Sequence, residues 1–242
     1  MATNKVIHRE AQGANAIFNQ RSLAKDYASL QSLLKPGMRV LDIGCGTGAI
    51  TKDVAAAIGP EGTVVGIDNT LAFIEEGQRL YGDSPMLTLM HCDLMDYVAT
   101  EKFDLIISAR TFQWLSSIGE ALAKIKSLLK TGGQLSILDY NHEAIQWSPA
   151  IPASMQTFYA AFLAWRHQAG MNNRIGDEIA SLLQKHGFHD VHALEANEYY
   201  NSETPGHREK IGIWAQVARS SQTSDEGFIE EAIRLQAVEE YS

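Results

Sequence analysis

Cysteine is scarce in this chain. There are two among 242 residues, Cys45 and Cys92, and no C-x-x-C pair. No disulfide framework is expected, and both read as reduced thiols of a cytoplasmic protein. The eight histidines show no H-x-x-x-H spacing, so no metal site is expected. No apolar run approaches the eighteen residues of a membrane span, and Met1 to Lys5 have no apolar stretch behind them of the kind a secretion signal needs. Lys and Arg number 20 against 29 Asp and Glu, a net charge of −9, and no four basic residues stand in a row. Docking on nucleic acid needs clustered cations to displace counterions, so that class of partner is disfavoured. Internal repeats and low-complexity tracts are also missing. What remains is a 45% hydrophobic chain, long enough for one α/β domain with an attached lid.

The most informative stretch is Val40-Leu41-Asp42-Ile43-Gly44-Cys45-Gly46-Thr47-Gly48. It reads as a buried strand over 39–43, a glycine-dense turn, and a helix over 49–58. Such a unit presents backbone N–H groups and a positive helix end to a ligand. The spacing is G-x-G-x-G, not the G-x-G-x-x-G of dinucleotide-binding folds. An acid two residues before the first glycine suits a cofactor with a charged amino-acid end and a nucleoside end. A nicotinamide oxidoreductase is correspondingly disfavoured.

Four more strands follow, at 63–67, 87–91, 103–108 and 133–138, alternating with helices. Asp68 ends the second strand, where a doubly wound sheet places an acid beside a ribose; Asn69 and Thr70 also suit the start of a helix. Together these residues resemble the class I S-adenosylmethionine-dependent methyltransferases over residues 36–140. The resemblance implies a Rossmann-like, mostly parallel α/β sheet, with S-adenosylmethionine lying over Asp42, Gly44, Cys45, Gly46 and Gly48. It implies Asp68 and Asn69 at the ribose and Cys92, Asp93 and Leu94 at the adenine, with Ser108 below. It also implies an N-terminal helical cap, residues 1–35, from which Arg21 reaches the cofactor carboxylate.

Residues 8–34 carry helical periodicity in at least two pieces. The methyltransferase domain is expected over 36–242, with an aromatic helical insertion at 145–173 acting as a lid. A helix over 175–186, a sixth strand near 191–199, a helix from 205 to 218, a linker over 218–225 and a last helix near 226–241 complete the reading. The family's sheet has a seventh, antiparallel strand between strands five and six, and no segment of this sequence matches it.

Methyl transfer from a sulfonium is an in-line displacement in which the protein chiefly aligns reactants and excludes water. A base is needed only where the nucleophile carries a proton. His142 and Tyr140, just past the fifth strand, are the candidate catalytic residues. Gln113, Trp114, Tyr159 and Trp165 are the candidate acceptor-lining residues. Gln113-Trp114-Leu115 resembles an element of the branch that includes quinone-biosynthesis C-methyltransferases and many small-molecule N- and O-methyltransferases. No Asn-Pro-Pro-Tyr element follows strand four. A small-molecule acceptor is therefore expected, ahead of a protein or RNA acceptor or a non-catalytic cofactor-binding module; oligomeric state is left open.

Overall fold

A computed structural model describes residues 18–204, 207–220 and 227–241. The expected helical stretch over 8–17, the start of the 205–218 helix and residues 221–225 of the linker lie outside these. The N-terminal segment contributes a short helix α1 (Leu23–Asp26) and a 3-10 turn (Ala28–Leu33). Then come β1 (Arg39–Ile43), α2 (Ala49–Ile58), β2 (Thr63–Asp68), α3 (Leu71–Tyr81), β3 (Leu87–His91), β4 (Phe103–Ala109), α4 (Ile118–Leu128) and β5 (Leu129–Leu138). The remaining helices are α5 (Ala153–Gln168), α6 (Ile175–Lys185), α7 (His207–Ile211), α8 (Ile213–Arg219) and α9 (Glu231–Tyr241).

The five strands form one sheet in the order β3-β2-β1-β4-β5, every neighbouring pair parallel. Both faces are covered, which is why β1 and β4 read as nearly continuous apolar runs. Val40 pairs with Val64 and Leu105, and this trio points into one core with Leu23, Tyr27, Leu30, Val54 and Ile58. Leu41, Ile43, Ile67 and Ile106 point the other way, against Leu122, Ile125 and Ile175 of α4 and α6. Period-two alternation thus splits β1, β2 and β4 between two cores, while β3 buries only Leu87 and Leu89, in the first. Leu23, Tyr27 and Leu30, in the described part of the expected N-terminal cap, belong to the first of them. This part is also tied down by Leu23 N–H donating to Asp53 at 2.9 Å and by the Tyr27 hydroxyl 2.8 Å from Ser136 Oγ.

Three expectations need correction. β5 begins at Leu129, not Gly133, because Leu129 pairs with Phe103 and a register shift before the Leu105–Gln134 pair absorbs the intervening residues. The sixth strand is not formed: residues 191–199 are irregular and mostly exposed. An extended segment becomes a strand only beside a hydrogen-bonding neighbour, and among the described residues no strand lies beyond β5 to supply one. The helix expected over 205–218 is split at Gly212 into α7 and α8.

Helices α5, α8 and α9 build a third apolar layer. Phe158 is fully buried with Ala218 and Ala237, and Phe162 and Trp165 pack with Trp214 and Phe228.

Candidate active site

The turn after β1 is held in a shape that only glycine adopts easily. Gly44, Gly46 and Gly48 have φ of 72°, 56° and 79°. The three differ in what a side chain would meet. A Cβ at Gly44 would lie 2.1 Å from Thr111 Oγ1, and one at Gly48 2.9 Å from Leu89. Both glycines therefore permit close packing within the protein. A Cβ at Gly46 would meet nothing nearer than Phe18 at 3.9 Å; this is the glycine whose open face suits a ligand.

The turn is bolted to β2. Gly44 and Cys45 donate to the Ile67 carbonyl at 2.8 and 3.1 Å, and Gly46 donates to Asp68 Oδ2 at 2.9 Å. Thr70 N–H takes Oδ1 at 2.9 Å, and Cys92 N–H takes the Asp68 carbonyl at 3.0 Å. Glycine turn, second-strand acid and third-strand exit therefore meet at one corner. Asp93 caps its own turn by accepting from Met95 N–H at 2.8 Å, beside half-buried Cys92 and buried Leu94, while Asn69 is exposed. Asp42 faces inward: it is buried and accepts from Thr51 Oγ1 at 2.7 Å, bracing the first turn of α2. Burial, with Asp68 adding charge repulsion against the Thr51 hydrogen bond, raises its pKa to about 7. The Cys45 thiol is pushed well above its usual value by burial and by both acids. Ser108 is fully buried and donates to the Ile43 carbonyl at 2.9 Å, tying β1 to β4.

Across the turn, the residues after β4 and β5 form a polar cluster. Arg110 adopts a left-handed backbone, φ 59°, and its side chain is buried. Nε donates to the Tyr140 hydroxyl, and Nη2 pairs with Glu198 at 2.7 Å and lies 3.7 Å from Asp26. Burial pulls this guanidinium's pKa down, but Tyr140, Glu198 and Asp26 outweigh it and hold it above the ordinary arginine value. Arg21 lies in the same field, stacked 4.5 Å over Phe18. Burial, then the charge of Arg110, lowers it to about 10. Burial raises the Tyr140 phenol, against the pull of Arg110.

The two sequence candidates Gln113 and His142 meet in a buried network. His142 Nε2 lies 2.5 Å from Gln113 Oε1, while Gln113 Nε2 donates to the Arg110 carbonyl at 3.1 Å and Gln113 N–H to Asp139 Oδ2 at 3.0 Å. Burial, followed by the charge of Arg166, lowers the His142 pKa to about 3, so the imidazole is neutral. Burial raises Asp139 to about 6, against its backbone hydrogen bonds. Arg166 was invisible to motif reading. It is fully buried, donates to Gln113 O at 2.7 Å and Asn173 Oδ1 at 2.8 Å, and lies 4.5 Å over the Trp114 ring. One sequence signal does point to it: Phe158, Phe162 and Arg166 fall four apart, a charge on an apolar helix face.

Of the two candidate acceptor-lining aromatics on α5, Tyr159 approaches this network, its hydroxyl donating to the His142 carbonyl at 2.6 Å. Trp165 instead stacks on Phe228 with centroids 5.4 Å apart, inside the third layer. Metal-binding clusters of His, Cys, Asp and Glu are lacking among the described residues, as are helices long and apolar enough to cross a membrane.

Comparison with known proteins agrees with this geometry. A family model described as a methyltransferase domain matches residues 34–187. A malonyl-[acyl-carrier protein] O-methyltransferase of Anoxybacillus flavithermus is 34% identical over 109 residues, 45% of this chain and 41% of that protein. A demethylmenaquinone methyltransferase of Symbiobacterium thermophilum is 33% identical over 113 residues, 45% of each chain. The chain thus spans about half the length of the curated relatives it matches. A solved SAM-dependent methyltransferase from Aquifex aeolicus superimposes with a TM-score of 0.51 at 18% identity, covering 73% of this chain and 89% of that one, a likeness of fold. The family match covers more than half of the sequence, and the fold and glycine turn agree with it: this chain belongs to the methyltransferase-domain family, with the Rossmann-like fold of S-adenosylmethionine-dependent methyltransferases.

Proposed function

We propose that this chain transfers the methyl group of S-adenosylmethionine to a small-molecule acceptor. The observation that carries the reading is the corner where the open face of Gly46, the Asp68 carboxylate and the Cys92–Asp93 exit converge. The Asp68 oxygens each accept one backbone N–H and retain lone pairs for ribose hydroxyls. Asp93 and Leu94 border the adenine side, and Gly46 leaves the main chain accessible beneath Phe18. In this reading Asp42, Gly44, Gly48, Cys45 and Ser108 shape the cradle from behind. The domain comprises residues 36–242, with the N-terminal segment packed over it and 145–173 covering the acceptor side.

The acceptor lies toward Tyr140, His142 and Trp114. A histidine with a pKa near 3 is a weak base, so His142 serves by offering the Nδ1 lone pair as a hydrogen-bond acceptor. That favours an acceptor that reaches the site already nucleophilic. The named relatives include O-methylating and C-methylating enzymes, one group acting on a carrier-bound malonyl.

The test is to incubate purified protein and S-adenosylmethionine with a metabolite extract. Release of S-adenosylhomocysteine and a metabolite gaining a methyl group support the proposal. Binding of the cofactor without turnover on any fraction would favour the non-catalytic module.

A further inference from the structure

At the C-terminal ends of β4 and β5 one guanidinium has an unused edge. Arg110 is 7% exposed, and its Nη1 is buried with no hydrogen-bond partner. Leaving a buried donor of a charged group unpaired is costly, as is a left-handed backbone at a non-glycine residue. Both costs fall on one residue, next to Thr111, which itself packs against Gly44 of the glycine turn.

The partners of Arg110 are of two kinds. Tyr140 follows β5, and Asp26 is fixed by α1, where it accepts from Ser22 N–H at 2.9 Å. Glu198 instead comes from the irregular 191–199 segment, whose Leu194 and Tyr199 are 73% and 81% exposed. It reaches only the Nη2 side of the guanidinium, while its other oxygen takes the Tyr200 hydroxyl at 2.5 Å.

We propose that Arg110 is the receptor for a carboxylate on the acceptor, and that Glu198 occupies part of that receptor as an internal stand-in until the acceptor arrives. The proposal rests on the methyltransferase reading. A planar guanidinium presents paired N–H groups that match both oxygens of a carboxylate. An acceptor carboxylate bridging Nη1 and Nη2 satisfies the orphan donor and displaces Glu198 to solvent, without any proton transfer. The stand-in is itself a carboxylate, and Asp26 at 3.7 Å penalises a dianion more than a monoanion, so a carboxylate suits the site better than a phosphate. Arg21, for which no carboxylate partner occurs within salt-bridge distance among the described residues, adds positive potential.

Propionate and its uncharged amide are the probes, titrated into protein saturated with S-adenosylhomocysteine and followed by the chemical shifts of arginine side-chain N–H groups. Glu198→Gln, on an exposed segment, is expected to bind propionate about tenfold more tightly than wild type, the worth of one charge-assisted hydrogen bond, with no propionamide binding in either. Arg110→Met is expected to lose propionate binding while keeping S-adenosylhomocysteine affinity within about twofold. Equal propionate affinity in wild type and Glu198→Gln overturns the proposal. So does loss of S-adenosylhomocysteine affinity in a folded Arg110→Met protein, which would assign the site to the cofactor's own carboxylate. If Arg110→Met does not fold, the Glu198→Gln comparison decides. If wild type fails to bind S-adenosylhomocysteine, the methyltransferase reading fails, and the propionate titration repeated on protein alone still decides the carboxylate site.

Discussion

His142 Nε2 sits 2.5 Å from Gln113 Oε1, and the far end of the same amide faces the Arg110 carbonyl at 3.1 Å. A carbonyl only accepts, so the Gln113 amide nitrogen must face it and Oε1 must accept the Nε2 proton. The tautomer of His142 is thereby fixed, with its lone pair on Nδ1.

This arrangement predicts a pH dependence of stability. The unfolded chain takes up a proton on His142 below pH about 6.5, whereas the folded protein resists it down to about 3. Protonation of the unfolded chain therefore draws the equilibrium toward unfolding as pH falls across that window. Asp42 and Asp139, raised to about 7 and about 6, act in the opposite sense by holding protons that the unfolded chain releases. A comparison with His142→Asn removes their shared contribution. Wild type should lose about 1.4 kcal/mol per pH unit relative to the variant below pH about 6.5. Parallel curves in urea denaturation at pH 7 and pH 5 would rule out the buried neutral imidazole.

The glycine turn predicts unequal sensitivity to the same substitution. Gly44→Ala must push its methyl into Thr111 and adopt a positive φ, so it should cost several kcal/mol, on the order of other overpacking and strain effects. Adding Thr111→Gly should recover part of that loss by removing the collision. Gly46→Ala has room and should cost only about 1–2 kcal/mol from its φ, while still weakening cofactor binding. Thermal denaturation of the four proteins checks the order; equal destabilisation at 44 and 46 would contradict it.

Local interactions leave their mark in the sequence, and long-range ones do not. The β1 strand, its turn and α2 are encoded within twenty residues, and the apolar runs of β1 and β4 announce strands buried on both faces. The sequence of residues 191–199 predicts a strand, but strand formation depends on a distant neighbour that the segment itself does not specify. Arg166, Gln113, Asn173 and His142 are drawn together from four segments, and no spacing rule links them. The left-handed backbone of Arg110 likewise leaves no trace in the sequence, since only glycine and asparagine advertise that conformation.

Trp165 predicts a stability effect. Read from sequence as an acceptor-lining residue, it is 5% exposed and stacked between Phe162 and Phe228. Trp165→Ala should cost about 3–5 kcal/mol in unfolding free energy, the usual range for an aromatic deletion in a core. A loss below about 1 kcal/mol with impaired turnover would instead return Trp165 to the acceptor site.

Calorimetric titration with S-adenosylhomocysteine reads out directly whether the Gly46–Asp68 corner holds the cofactor. Asp68→Ala frees the Gly46 and Thr70 N–H groups and so loosens the turn; under the proposed function it also removes the acceptor for the ribose hydroxyls. Saturable binding to wild type is expected, with a loss of about 1.5–3 kcal/mol in the variant, roughly ten- to 150-fold in affinity. Circular dichroism of the variant should show the fold retained. Unchanged affinity in a folded Asp68→Ala protein, or no binding to wild type, would mean that this corner does not hold the cofactor.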